Sequence, residues 1–104
     1  MEFLIEKITT LPDDFDPQRS KALRREEKNA IASFAADGSL VRLWRLRRGN
    51  RVVTLGLWRA ESEGNVRSLI DQLPLRPWMA IEVFVLEPHS NDPRPSSNEA
   101  RSTR

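Results

Sequence analysis

Leu40-Val-Arg-Leu-Trp-Arg-Leu-Arg-Arg-Gly-Asn-Arg-Val-Val-Thr-Leu-Gly-Leu-Trp-Arg59 occupies the middle of the chain and decides how the rest is arranged. Residues 39–47 read as one strand, Arg48-Gly-Asn50 as a hairpin turn, and 51–59 as a second strand with β-branched residues at Val52, Val53 and Thr54. On each side of this hairpin stand one helix and, beyond it, one strand. Upstream, Asp16 before Pro17 is an N-cap followed by proline at the first helical position. The helix it starts runs from about 17 to 36 and stops at Asp37-Gly38, a glycine C-terminal signal. Ahead of it, Leu11-Pro-Asp-Asp-Phe-Asp-Pro17 is a turn, and residues 2–9 form a strand with Phe3, Leu4, Ile5 and Ile8 apolar. Downstream, Glu61-Ser-Glu-Gly64 opens a second helix carrying Val66, Leu69, Ile70 and Leu73, which Pro74 and Pro77 end. Residues 79–86 form the last strand. The order βαββαβ is the ferredoxin-like split βαβ pattern of the α+β class, an antiparallel sheet with two helices on one face.

A chain of 104 residues holds one domain. That domain spans 1–88; from Glu87 the composition shifts to Pro, Ser, Asn and Arg, so that 89–104 reads as a polar C-terminal tail. With no cysteine, disulfide frameworks, thiolate metal sites and cysteine nucleophiles are excluded. His89 is the single histidine, which excludes a multi-histidine metal site. No apolar run approaches the ~20 residues of a membrane span. The opening Met1-Glu-Phe-Leu-Ile-Glu-Lys7 has acids where a signal peptide has bases, so the expected compartment is the cytoplasm. The net charge of +2 argues against a nucleic-acid binder. Arg supplies fourteen of the 17 bases, and its planar fork suits carboxylate recognition better than lysine does.

The last strand, Met79-Ala-Ile-Glu-Val-Phe-Val-Leu86, is apolar at both parities. A sheet with one wet face should alternate, so the helix-free face is expected to meet another subunit. A small core points the same way, since a chain this size buries only about 60–68% of its unfolded surface. The alternative is a fully buried central strand in a monomer.

The first helix holds the most informative residue. At about 100° per residue from Glu27, Leu23 lies near −40°, Ile31 near +40°, Phe34 near −20° and Ala30 near −60°. Glu27 therefore sits in the middle of the apolar stripe. A carboxylate there is costly unless it is paired or lines a cavity, and burial moves its pKa towards values useful for proton transfer. The competing reading is a glutamate neutralised by Arg24 or Arg42, with no chemistry. Arg24, one turn earlier, reaches the same pocket edge. Arg42 and Arg45 lie mid-strand and point to opposite faces, so at most one shares the helix-covered face with Glu27. Either one could clamp an anion, or their stems could simply cover apolar surface beside Trp44. Arg47, Arg48 and Arg51 belong to a solvated turn. RNA binding on the open sheet face lacks the stacking aromatics, and His89 stands in a polar, proline-flanked segment.

Glu27-Lys28, Leu43-Trp44-Arg45 and Gln72-Leu-Pro-Leu-Arg-Pro-Trp-Met-Ala-Ile-Glu-Val83 together resemble the muconolactone Δ-isomerase family. The resemblance covers about residues 1–90 and includes the opening strand and the Leu-Pro after it. It implies a dimeric α+β barrel enzyme without cofactor or metal, built up into a homodecamer with active sites near subunit contacts. It implies a proton shift on muconolactone that gives 3-oxoadipate enol-lactone, in the β-ketoadipate branch of aromatic catabolism. In that reading Glu27 is the acid/base, and Arg24, Arg42, Trp44, Arg45 and Trp78 surround a small lactone carboxylate. The partners are then the lactone and further copies of the chain, with no nucleic acid and no membrane, and the tail embraces a neighbour. The chain departs from the family pattern at several polar positions. Arg24 stands for a lysine, Arg42 for a histidine, Val52 and Val53 for an Asn-Tyr pair, Trp78 for a tyrosine and Ala80 for an aspartate. The alternative on the same fold is a non-catalytic small-molecule-binding or oligomerisation protein, with Glu27 held in an ion pair.

Overall fold

In a computed structural model that describes residues 1–94, the elements fall in the expected order. They are β1 (Glu2–Thr9), α1 (Pro17–Ala36), β2 (Leu40–Arg48), β3 (Arg51–Arg59), α2 (Glu63–Asp71), one 3₁₀ turn (Arg76–Trp78) and β4 (Met79–Leu86). The residues of the tail beyond 94 lie outside the described residues.

Local chemistry sets most of these boundaries. The Asp16 carboxylate accepts the Arg19 N–H at 2.9 Å, and Pro17 opens α1, where a missing N–H costs nothing. Gly38, at φ 87°, takes the chain out of the helix in a conformation that disfavours any side chain. Ser62 caps α2 by accepting the Asn65 N–H at 3.1 Å. The second helix is shorter than its apolar spacing suggests. It ends at Asp71, and Leu73 continues only as a turn, its N–H donating to the Ile70 carbonyl. Pro74 is the cause, since it disfavours helical backbone in the residue before it.

The sheet order is β2-β3-β1-β4, antiparallel throughout. Phe3 and Ile5 of β1, Trp58 of β3, Leu40 of β2 and Met79 of β4 bury one face beneath Val66 and Ile70 of α2. Leu23, Ala30, Ile31 and Phe34 of α1 pack partly buried against the same cluster. Leu73 and Leu75, beyond the end of α2, are buried in it too.

Among the described residues no helix covers the opposite face. By register it carries Trp44, Leu46, Val53, Leu55, Leu57, Leu4, Ile8, Ala80, Phe84 and Leu86. Trp44, Phe84 and Leu86 are exposed, so the second apolar parity of β4 is open in the single chain.

Trp58 is the largest fully buried side chain, and Phe34 meets its ring edge-on with centroids 5.6 Å apart. The indole lies back over Gly56, two residues earlier on the same face. A Cβ at Gly56 would stand 2.5 Å from Trp58 Nε1. The ring has no room to swing away, so Gly56→Ala should lower stability by about 1–3 kcal/mol through overpacking. Urea denaturation of the two proteins measures it; an unchanged midpoint would mean that the indole relaxes freely.

Candidate active site

The turn between α2 and β4 has one backbone donor that the main chain does not use. Gln72 N–H donates to the Leu69 carbonyl, Leu73 to Ile70, Arg76 to Leu73, Trp78 to Leu75 and Met79 to Arg76. Pro74 and Pro77 have no N–H. Leu75 N–H is left, and it donates to Glu27 Oε1 at 3.1 Å. The carboxylate on the apolar stripe of α1 thus supplies the acceptor that helix carbonyls would have offered Leu75 N–H had α2 continued past Pro74.

The second oxygen, Oε2, faces the Lys7 ammonium at 3.4 Å. Both side chains are nearly buried, 10% exposed at Lys7 and 12% at Glu27. The partner is neither of the arginines, Arg24 or Arg42, that the competing reading offered for Glu27. Arg24 is exposed on α1 and pairs with no carboxylate among the described residues. Arg42 lies on the other side of the sheet. Lys7 is the partner because β1 alternates: Phe3 and Ile5 point to the core, and so does the residue two further on. The sequence did not mark it, because Phe3, Leu4, Ile5 and Ile8 put apolar residues at both parities of the strand and leave the inward one undefined.

Burial lowers the Lys7 pKa from its ordinary 10.5, against the raising effect of the Glu27 charge and hydrogen bond. Desolvation is the larger cause, so the ammonium is held in a site that does not fully repay its lost water.

The register sorts the remaining candidates by face. Arg45 pairs with Thr54, Thr54 with Lys7 and Lys7 with Ile81, which puts Arg45 on the helix-covered side in the same row as Lys7. In the adjoining rows Leu43 is 40% and Val52 44% exposed, so the helices leave the β2 end of this face open. Arg42 pairs with Leu57 and Trp44 with Leu55, which places both on the helix-free face. There the Arg42 guanidinium lies 5.0 Å from the Trp44 ring centroid. Trp78 stands edge-on to Phe15, centroids 5.2 Å apart, with Arg19 over both rings, and its carbonyl accepts the Thr10 N–H. It fixes the turn that presents Leu75. Arg48, expected in a solvated turn, is largely exposed but reaches Glu6 at 3.1 Å.

Two hollows lie away from Glu27. A groove of about 1440 Å³ crosses the helix-free face between Arg42, Trp44, Leu57 and the segment Glu87–Arg94. A smaller one, about 490 Å³, lies beside Arg59, Ala60 and the start of α2. No described helix is long and apolar enough to cross a membrane.

The lowered Lys7 pKa fixes a sign. Between that value and 10.5 the unfolded chain holds a proton on Lys7 that the folded chain has released. Stability from this group therefore rises with pH through that window. The parent should gain on a Lys7→Met variant, in urea denaturation, as pH climbs from neutral to 10.5. A gap that is constant or shrinks would refute the assignment.

The same chain-wide pattern recurs among known proteins. The sequence model of muconolactone delta-isomerase matches residues 1–92. Muconolactone Δ-isomerase 2 of Acinetobacter lwoffii is 31% identical over 91 residues, covering 88% of this chain and 93% of its own. Muconolactone Δ-isomerase of Pseudomonas putida is 29% identical over 83 residues, covering 80% and 84%. A crystal structure of muconolactone isomerase at 3.3 Å resolution superimposes with a TM-score of 0.81 at 27% identity, over 92% of this chain and 98% of that one. With the family model matched over nearly its whole described length and the fold superimposed, the chain belongs to the muconolactone Δ-isomerase family.

Proposed function

We propose that the protein is a cofactor-free isomerase that moves a proton on a small carboxylate-bearing lactone, muconolactone or a close relative, in aromatic catabolism by the β-ketoadipate pathway. The observation that carries this reading is the Glu27 carboxylate, with one oxygen pinned by the Leu75 N–H and the other turned to the partly accessible Lys7 side. A pinned acid has a fixed reach, which proton transfer to and from carbon needs.

The step balances within the substrate. Glu27 Oε2 takes the proton from the saturated ring carbon attached to the far end of the C=C–C=O system. The C–H electron pair spreads to the lactone carbonyl oxygen. The carboxyl then gives a proton to the carbon beside the carbonyl, and the double bond has moved. No oxidation state changes. Arg45, in the same row and beside the open patch of Leu43 and Val52, is suited to hold the substrate carboxylate as a bidentate partner. Glu27→Gln keeps an acceptor for Leu75 but turns an amide towards the Lys7 ammonium, so about 1–3 kcal/mol of stability should go with the charge. Stability alone therefore does not separate a catalytic from a structural Glu27. Rate per folded molecule does: muconolactone isomerisation should fall by roughly 10²–10⁴. A folded Gln variant with the parental rate would leave Glu27 as a structural residue.

The helix-free face fits a second copy of the chain, because Trp44, Phe84 and Leu86 are exposed there among further apolar residues. Light scattering at micromolar concentration should give a dimer or larger, and Phe84→Glu should shift it towards monomer. A parent that runs as a clean monomer would sink this part of the reading.

A further inference from the structure

Lys7 is more than the neutraliser of Glu27 requires. Its ammonium carries three donors, and among the described residues one acceptor is within reach, Glu27 Oε2 at the long distance of 3.4 Å. The residue sits at an inward position of β1, flanked by Thr54 on β3 and Ile81 on β4. An apolar pair at positions 7 and 27 would be cheaper to bury than two desolvated charges. The free donors also lie on the side of Glu27 at which proton transfer must occur. Oε1 is committed to Leu75 N–H, so a substrate reaching Oε2 meets the Lys7 ammonium as well.

We propose that Lys7 is a second catalytic residue, its ammonium donating a hydrogen bond to the lactone carbonyl oxygen as negative charge collects there. The inference rests on the isomerase reading for its chemistry, but the binding it requires does not need turnover. When Glu27 Oε2 takes the ring proton, the electron pair ends on the carbonyl oxygen. Lys7 keeps its own proton and compensates that charge in a site that excludes most water. A donor acidified by burial matches a developing enolate better than an ordinary lysine does. The other charged groups facing this site are Glu27 from α1, Arg45 and Arg47 from β2 by register, and Arg76 beside Leu75, whose Nε is held by Asp71. Among the described residues, only Lys7 lies against the transferring oxygen.

Tetronate, the stable enolate of a five-membered lactone, serves as the probe. Calorimetry should show that the parent binds it, that Lys7→Met weakens binding about tenfold or more, and that Lys7→Arg largely keeps it. Glu27→Gln, which removes a repelling carboxylate, should tighten it. Circular dichroism confirms folding, and Lys7→Gln replaces Lys7→Met if the latter unfolds. The second readout is the pH profile of kcat/KM on muconolactone. Its alkaline limb should fall below 10.5 in the parent and be absent in Lys7→Arg, since arginine does not deprotonate there. A parent that does not bind tetronate, or a folded Lys7→Met variant that binds it as the parent does, overturns the proposal. An alkaline limb unmoved by arginine does so too. Lys7-dependent tetronate binding in a parent that does not turn over muconolactone would instead overturn the isomerase reading and leave the enolate site standing.

Discussion

The Glu27 carboxylate answers a difficulty created elsewhere in the chain. Pro74 and Pro77 prevent α2 from continuing, yet Leu73 and Leu75 must still be buried. A buried turn without a backbone acceptor for every N–H is costly. The acceptor comes from the middle of α1, 48 residues away in sequence, and the same carboxylate takes the Lys7 ammonium from β1. One side chain therefore ties together the first strand, the first helix and the connection into the last strand. Its position on the apolar stripe, which looks like an error of patterning, is what lets it reach both partners.

That double commitment also gives the site its asymmetry. One oxygen is fixed by an amide that cannot move without disturbing the core residue Leu75. The other faces a flexible side chain at a longer distance. In the proposed reaction a proton would reach Glu27 through Oε2, on the side where Lys7 stands and where the sheet lies open towards Arg45, Leu43 and Val52.

The two faces of the sheet divide the labour. Of the positions that the sequence reading sets apart from the family pattern, Arg42, Val53 and Ala80 lie on the helix-free face, whereas Val52 borders the Lys7 row. Val53 is buried although no described helix covers it, and the wide groove on that face passes Arg42 and Trp44. Changes on that face bear on what covers the sheet. Val52 alters the floor beside the candidate site, where substrate discrimination would be felt most directly.

Element order, both caps, the hairpin and the family were legible in the residues, because each depends on local signals: Asp16-Pro17, Asp37-Gly38, Arg48-Gly-Asn50 and the Gln72–Val83 segment. The oddity of Glu27 was legible too, since helical periodicity is enough to place it. Its partner was not. An arginine was the natural expectation in a chain so rich in them, but partners across a fold are set by strand register and helix docking, which join residues 20 and 48 positions apart. Strand alternation could separate Arg42 from Arg45 without saying which of them faced the helices. Only the pairing of β2 with β3, shifted by the irregularity between Leu40 and Arg42, decided that Arg45 shares a row with Lys7. A single-residue change of register exchanges the two faces, and for that reason the site was decided by tertiary structure while the fold was written locally.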